Sequence, residues 1–229
     1  MTPRLAQPAA RPAGHTAVMA STRQAPDSLS YFPTPPWATR ALFEHALVAY
    51  SADCTIWEPA AGAGHMVGVL KDYCREVFAS DVHDYGAGYA VGSFVGVGGD
   101  VMHCPERADW VITNPPFPLA AEFAERGLAE ARRGVALLVR TSWLEGGARY
   151  RQLFSRRPPS RVAVFSERVP MHQGRWVPDG TTATSYSWVI WDAVHSGPTE
   201  LTWIPPGCRK ELTRPDDVAR FAELGNIEG

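Results

Sequence analysis

Four consecutive residues, Asn114-Pro115-Pro116-Phe117, combine hydrogen-bond acceptors with an aromatic ring at a rigid turn. They follow the apolar run 110–112, so they are predicted to leave the C-terminal end of a strand. The two prolines fix φ, supply no N–H donor and hold the residues before them in extended conformations. The Asn114 amide oxygen and the Pro115 carbonyl can accept hydrogen bonds from an exocyclic amine, while Phe117 can stack on a flat heterocycle. This chemistry suits an amino group on a planar base; the alternative is a loop breaker followed by a core phenylalanine.

A loop of small residues, Glu58-Pro59-Ala60-Ala61-Gly62-Ala63-Gly64, precedes this turn in the chain. Small residues let a ligand approach the backbone, and free N–H groups at the start of the next helix can receive a carboxylate or a phosphate. The third glycine of the dinucleotide fingerprint is missing, so the loop is weak support for NAD. Asp81, at the end of the next predicted strand, could accept the hydroxyls of a ribose. A helix or turn cap is its alternative role.

Segments with strand and helix patterns alternate along the chain. Strands are predicted over 55–57, 76–81, 108–113, 134–139, 161–165 and 186–191, with an edge strand at 201–204. Helices are predicted over 36–50, 65–73, 119–133, 147–155 and near 215–224, and a flexible glycine-rich loop over 85–99. This alternation predicts a doubly wound parallel α/β sheet, in which ligands bind at the C-terminal ends of the strands. The small-residue loop, Asp81, Asp100 and Asn114 are then expected along one edge.

The bulk properties fit one medium domain with a sizeable core. Residues 1–28 are rich in Pro, Ala, Gln, Ser and Thr and are expected to be mostly disordered, with a transit peptide as the alternative. No apolar run approaches the ~20 residues that span a bilayer. The four cysteines are far apart, which favours free thiols in a reducing compartment over a zinc site or a disulfide framework: Cys54, Cys74, Cys104 and Cys208.

Positive charge is concentrated in one part of the chain. The window 126–175 holds eleven arginines and three acids, a charge of +8, so the remainder of a chain of net charge −2 carries −10. Such asymmetry can mark a surface that faces nucleic acid. The alternative is a set of solvated arginines scattered around the fold.

Taken together, these segments resemble the class I S-adenosylmethionine-dependent methyltransferases, and specifically the small phage and prophage members that methylate the N6 amine of adenine in DNA. Asn114-Pro115-Pro116-Phe117 resembles the catalytic tetrapeptide, and 182–191 resembles the hairpin before the last strand. The resemblance implies cofactor-binding roles for Tyr31, Thr34, Pro35, Glu58, Pro59, Ala60, Gly62, Gly64, Asp81 and Asp100. Within that set, Asp81 resembles the acid that holds the ribose, and Asp100 the acid near the adenine of the cofactor.

The resemblance also implies an architecture and a setting. The expected fold is a Rossmann-like sheet, mostly parallel with a C-terminal antiparallel strand, and without a large separate recognition domain. A methyltransferase domain is expected over 29–192, with a substrate-contacting loop at 166–184 and a C-terminal extension at 193–229. Substrate contacts are expected from Phe117, Arg140, His172, Arg175 and Trp176. The implied partner is DNA, with a possible second copy of the chain, in the cytoplasm of a bacterial or phage-infected cell, and no metal is expected.

The mechanism implied by the resemblance is direct methyl transfer to an amine. Hydrogen bonds from the amine to Asn114 and Pro115 favour a pyramidal nitrogen, so alignment and electrostatics do most of the catalysis. Two alternatives remain open. Asn-Pro-Pro followed by an aromatic residue also occurs in methyltransferases that act on RNA bases or on glutamine side chains of proteins, although Tyr31-x-x-Thr34-Pro35 favours DNA adenine. The second alternative is a non-catalytic nucleic-acid-binding subunit of the same fold.

Overall fold

The computed structural model of the chain describes residues 31–47 and 50–224. The segment 1–28, predicted to be disordered, lies outside the described residues. The strands are β1 (Thr55–Glu58), β2 (Glu76–Asp81), β3 (Ala90–Val91), β4 (Trp110–Thr113), β5 (Gly134–Arg140), β6 (Arg161–Phe165), β7 (Tyr186–Asp192) and β8 (Glu200–Ile204). The helices are α1 (Pro36–His45), α2 (His65–Leu70), α3 (Ala120–Glu130), α4 (Gly147–Arg149), α5 (Cys208–Leu212) and α6 (Asp217–Phe221).

All eight strands belong to one sheet, in the order β3-β2-β1-β4-β5-β7-β6-β8. Strand β7 runs antiparallel to β5 and β6, and the other pairings are parallel. The predicted Rossmann-like sheet, mostly parallel with an antiparallel strand near the C-terminus, is confirmed. The strand order reverses between β1 and β4, which makes the crevice at their C-terminal ends the expected ligand site.

Side chains alternate between two cores on the two faces of the sheet. On β5, Ala136 and Leu138 lie in the core that includes α1 and α2, while Val135, Leu137 and Val139 lie in the core that includes α3. Every side chain of β5 before Arg140 is buried, as expected for a central strand covered on both faces. The helices packed on both faces of the sheet therefore hold the C-terminal ends of the strands, and the side chains there, in fixed relative positions.

The local sequence of helix α1 accounts for where the helix begins and for the face that it buries. Pro36 stands at the first helical position, where its missing N–H leaves no bond unmade, and the preceding Pro35 is extended. The apolar residues that follow at helical spacing are buried against the sheet, Trp37, Ala41 and Leu42 among them. The helix ends at His45, earlier than the predicted end at residue 50.

The glycine-rich stretch 85–99 differs from the prediction of a flexible loop. It contributes the short strand β3, which pairs in parallel with the end of β2, and a bridge joins Ser93 to Val101. Glycines at 86, 88, 96 and 98 have positive φ, which only glycine adopts freely. The glycines therefore allow the turns of an ordered segment that adds strand β3 to the edge of the sheet.

The C-terminal segment belongs to the same folded unit. Strand β8 extends the sheet through five parallel pairs with β6, and α5 packs on α1. Helix α5 was not predicted from the sequence. Among the described residues no separate recognition domain is present, and no helix of that part of the chain is long and apolar enough to cross a membrane.

Candidate functional site

A cavity that is partly open to solvent lies at the C-terminal ends of β1, β2 and β4. Residues of the small-residue loop form one wall, and Asn114-Pro115-Pro116-Phe117 forms another. Other walls come from Tyr31 to Thr34 at the start of the described chain and from 93–95 next to β3. The two motifs that sequence analysis placed together therefore share one cavity.

Asn114 is held by its amide nitrogen. Nδ2 donates to the Phe32 carbonyl at 2.9 Å and to the Thr34 hydroxyl at 3.1 Å. The carbonyl oxygen Oδ1 is buried and has no hydrogen-bond partner among the described residues. A buried acceptor without a partner costs free energy of about 1–3 kcal/mol, so an amine donor reaching it would relieve that cost. The segment 31–34 thus fixes which end of the amide stays available.

Phe117 lies in an aromatic group at the mouth of the cavity. Its ring centroid is 5.5 Å from that of Phe32 and 6.4 Å from that of Tyr186. The guanidinium of Arg140, from the C-terminal end of β5, lies 4.4 Å from the Phe117 centroid. The half-buried Phe117 ring and the exposed Arg140 guanidinium together form a flat, positively charged surface that faces solvent.

The small-residue loop uses most of its backbone donors internally. The Ala60 amide donates to Glu58 Oε1 at 3.0 Å, and the Ala61 amide to the Ser80 carbonyl at 3.0 Å. The Gly62 amide donates to Asp81 Oδ2 at 2.8 Å. Those three loop donors are therefore not free to bind an anion, and the expectation for the N–H groups at the start of the next helix stays a prediction.

Asp81 lies at the end of β2, buried against the loop. Its second oxygen accepts the His83 amide at 3.1 Å. Burial raises the pKa of Asp81, while the hydrogen bonds from the Gly62 and His83 amides lower it. Asp81 lines the cavity, so its carboxylate is positioned both to tie down the loop and to face a ligand.

Glu58, at the end of β1, is fully buried in the cavity wall. Burial raises its pKa to about 8, and the nearby Thr113 hydroxyl and the Ala60 amide offset part of that rise. Its Oε2 has no hydrogen-bond partner among the described residues. A buried carboxyl beside the cavity, with a pKa near neutral, is suited to exchange hydrogen bonds with a ligand.

The other predicted cofactor residues fall into two groups. Tyr31, Thr34, Pro59 and Ala60 line the cavity. Pro35, Gly62 and Gly64 are not among its lining residues: Pro35 caps α1, and Gly64 precedes α2 with a φ of 101°. Gly62 has a φ of 52°, and a Cβ there would lie 2.4 Å from the Tyr31 ring, so the close approach of that ring requires glycine.

Asp100 does not line the cavity, although the resemblance implied a place for it near the adenine of the cofactor. It is exposed, and its carbonyl accepts the Ser93 amide at 2.8 Å. Ser93, Phe94 and Val95 line the cavity at this position instead. The pairing of β3 with β2 sets the path of the glycine-rich stretch, which brings residues 93–95 and not Asp100 to the cavity.

Trp176 is also not available for substrate. It is buried with Val69 and Phe221, its ring centroid 6.4 Å from that of Phe221. His172 and Arg175 lie on a turn connected by a bridge between them, outside the cavity lining. Arg175 is exposed there. The apolar packing of Trp176 explains why a loop position rich in polar neighbours carries a tryptophan.

Sequence reasoning missed several cavity residues. Tyr85 stacks near Tyr31, with centroids 4.7 Å apart, and Ser93 and Phe94 line the wall described above. Aromatic residues inside a glycine-rich stretch were a usable signal, because glycines are needed where the backbone turns around buried rings. His65, which the sequence placed at a helix start, also lines the cavity.

The charge of the cavity restricts its ligand. Its lining includes Glu58 and Asp81 and no lysine or arginine. Burial lowers the pKa of the lining His65 to about 4, so its imidazole is neutral at physiological pH. Within 31–47 and 50–224, no group of three or more His, Cys, Asp or Glu side chains could hold a metal ion. Because no lysine or arginine lines the cavity and burial keeps Glu58 largely protonated near neutral pH, the lining lacks a partner for a phosphate and favours a ligand that donates hydrogen bonds.

The fold is similar to that of two solved restriction-modification proteins. A protein assigned as a modification subunit of a type I restriction enzyme from Vibrio vulnificus YJ016 matches with a TM-score of 0.51 at 16% identity, covering 86% of this chain and 52% of that chain. The type I restriction-modification system methyltransferase subunit from Streptococcus thermophilus matches with a TM-score of 0.52 at 12% identity, covering 76% and 46%. The chain thus spans about half the length of each. No family profile and no curated protein matches the sequence. The chain has a Rossmann-like methyltransferase fold.

Proposed function

We propose that this protein transfers a methyl group from S-adenosylmethionine to the exocyclic N6 amine of adenine in DNA. The observation that carries the proposal is the state of Asn114, whose Nδ2 is fixed by two acceptors while Oδ1 is left unpaired. An amine is the ligand group that such an oxygen lacks. The sequence resemblance and the methyltransferase fold support the same conclusion.

The residues of the cavity fit this cofactor. Asp81 would accept the ribose hydroxyls, and Glu58 lies in the wall beside it. The absence of lysine and arginine from the lining suits a cation with no phosphate. The cofactor supplies an electrophilic methyl group on a positively charged sulfur. Tyr31 and Tyr85 would cover one side of it with aromatic surface.

The chain's own residues act on the amine of the substrate. Oδ1 of Asn114 and the Pro115 carbonyl accept the two N–H groups of an adenine amine and so draw its lone pair out of conjugation with the ring. The prolines keep both acceptors from moving as the reaction proceeds, because they fix the backbone. Preorganised acceptors of this kind stabilise a developing positive charge without a strong base. The amine gains the methyl group and releases one of its N–H protons to solvent, so transfer requires no covalent intermediate on the protein.

Phe117 and Arg140 are placed to hold the base. Taking a base out of a duplex costs a few kcal/mol, and stacking on one aromatic ring returns ~1–3 kcal/mol. In the structure the Arg140 guanidinium lies over the Phe117 ring. A base that stacks on Phe117 would therefore either displace Arg140 or share the ring with it.

Arginines around the mouth of the cavity supply the remaining binding energy. Arg168 donates a hydrogen bond to the Ser185 hydroxyl just before β7, near Arg140 on the paired end of β5. Arg175 lies on a turn whose backbone donates to the Tyr31 carbonyl. Cationic side chains on this edge match the phosphates of a nucleic-acid strand.

The test is a transfer assay with the purified full chain and tritium-labelled cofactor. Separate pools hold duplex DNA, single-stranded DNA, RNA and protein, and labelled DNA is digested to nucleosides. We expect label in N6-methyladenine, and its loss in Asn114→Ala. If label appears only in RNA or only in protein, DNA adenine is not the acceptor and the labelled pool contains it. The absence both of label and of cofactor binding by calorimetry would refute the proposal and favour a non-catalytic binding module.

A further inference from the structure

The C-terminal segment 207–224 is anchored to the domain by a buried ion pair. Both oxygens of Asp217 accept hydrogen bonds from the Arg40 guanidinium of α1, at 2.6 and 2.7 Å. The two side chains are almost fully buried, with exposed fractions of 2% for Arg40 and 0% for Asp217. Arg40 also donates to the Leu212 carbonyl at 2.7 Å. A bidentate, desolvated pair fixes the orientation of α6 as well as its position.

Helix α6 is pressed against α2, the helix that follows the small-residue loop. Phe221 is buried, and a Cβ on Gly68 of α2 would lie only 2.5 Å from its ring. Arg220 donates to the Gly68 carbonyl at 2.8 Å. Glycine at residue 68 therefore lets the two helices approach closely enough for Phe221 to pack on the backbone of α2.

Phe221 reaches the cavity through a single intermediate residue. Its ring lies against that of His65, with centroids 6.2 Å apart and planes 28° apart. His65 Nδ1 is 3.2 Å from the Tyr31 hydroxyl. Tyr31 in turn packs on Gly62 of the small-residue loop, in van der Waals contact. His65 and Tyr31 line the cavity, whereas Phe221 does not.

We propose that Phe221 is a positioning residue for cofactor binding, which holds His65 and through it Tyr31 over the small-residue loop. The C-terminal segment then controls the affinity of the cavity for the cofactor. It does so from behind the cavity wall, because Phe221 does not itself line the cavity. The proposal rests on the proposed function for the identity of the ligand, but the positioning of the loop is measurable without it.

Two variants of the full chain perturb this contact from opposite sides. Phe221→Ala removes the ring, and Gly68→Ala forces the ring away from α2. Phe221→Leu keeps apolar contact and is the conservative variant. Leu153→Ala is the matched control, because Leu153 is equally buried but lies in the core on the opposite face of the sheet. Each protein is measured for cofactor Kd by calorimetry, for thermal midpoint, and for hydrogen exchange of the peptide covering 58–66.

We expect Phe221→Ala and Gly68→Ala to raise the cofactor Kd by roughly 3- to 30-fold, the range of coupling through a packed network. Both should also speed exchange in 58–66, and Phe221→Leu should restore most of each effect. Leu153→Ala should lower the thermal midpoint while leaving the Kd and the exchange of 58–66 unchanged. If Phe221→Ala lowers the midpoint as Leu153→Ala does but changes neither exchange nor Kd, the inference is overturned. If the wild-type chain binds no cofactor, the proposed function is refuted instead. The hydrogen exchange of 58–66 would then still test whether Phe221 positions the small-residue loop.

Discussion

Replacing Asn114 by alanine removes two separable contributions from the molecule. The Nδ2 group makes two hydrogen bonds, to the Phe32 carbonyl and the Thr34 hydroxyl, that hold the segment 31–34 on the cavity wall. The Oδ1 atom makes no hydrogen bond within the described residues and is the proposed acceptor for the substrate amine. Loss of the first contribution should appear in the stability of the fold, and loss of the second in the rate of transfer.

The two magnitudes follow from the local environment. The two acceptors left without a donor cost about 1–3 kcal/mol of unfolding free energy, because the site is largely closed to water. Removing one preorganised polar group from a reacting centre lowers kcat by ~10²–10³, or about 3–4 kcal/mol of transition-state stabilisation. The cofactor Kd should rise by much less than kcat falls, since Oδ1 is assigned to the substrate amine and only the lost Nδ2 contacts, which hold the segment 31–34, bear on the cofactor.

Thr34→Val provides the comparison. It deletes one Nδ2 acceptor, at 3.1 Å, but keeps the amide and its Oδ1. Its kcat should fall by at most about tenfold, the cost of one lost positioning hydrogen bond. The assay is single-turnover tritium transfer to an adenine-containing duplex, with calorimetry for the cofactor and urea unfolding for stability. Equal losses of cofactor affinity and rate in Asn114→Ala, or a rate that survives the substitution, would refute the role of Asn114 as amine acceptor.

Three further predictions use other parts of the structure. Asp81→Ala should weaken cofactor binding by about tenfold or more, since it removes a charged acceptor in the cavity wall, and an unchanged Kd by calorimetry would take Asp81 out of the site. Burial raises the pKa of Glu58 from 4.5 to about 8, so the cofactor-free fold keeps a proton that the unfolded chain loses, and stability should decline as pH rises between those values. Urea unfolding of Glu58→Gln should show a weaker decline, by the order of a few kcal/mol, and parallel pH profiles would contradict the pKa. Asp217→Asn should cost about 3–5 kcal/mol of unfolding free energy because it leaves the Arg40 charge buried without its partner. Asp216→Asn, which removes an exposed ion pair with Arg220 at 3.7 Å, should cost under about 1 kcal/mol. Equal losses of unfolding free energy in the two variants would argue against the buried pair.

Several residues show how far local pattern reaches. The strand predicted over 76–81 is the observed β2, because an apolar run that ends in an acid leaves few alternatives for its boundaries. The turn at Asn114 was predictable because two prolines cannot continue a strand in the middle of a sheet. Helix α5 was missed because five residues without an apolar period carry no signal, and it forms only by packing on α1.

The sequence by itself determined the doubly wound sheet, the order of its polar residues and the acceptor chemistry at Asn114, since these depend on periodicity, proline geometry and side-chain type. The tertiary structure decided which residues share the cavity. It placed Ser93 and Phe94 where Asp100 was expected, buried Trp176 against α6, and brought Phe221 next to His65. The contact between Phe221 and His65 joins segments 156 residues apart, and the place of Ser93 depends on the path of the glycine-rich stretch. The packing free energy that selects these contacts comes from residues far apart in the sequence, so no short segment predicts them.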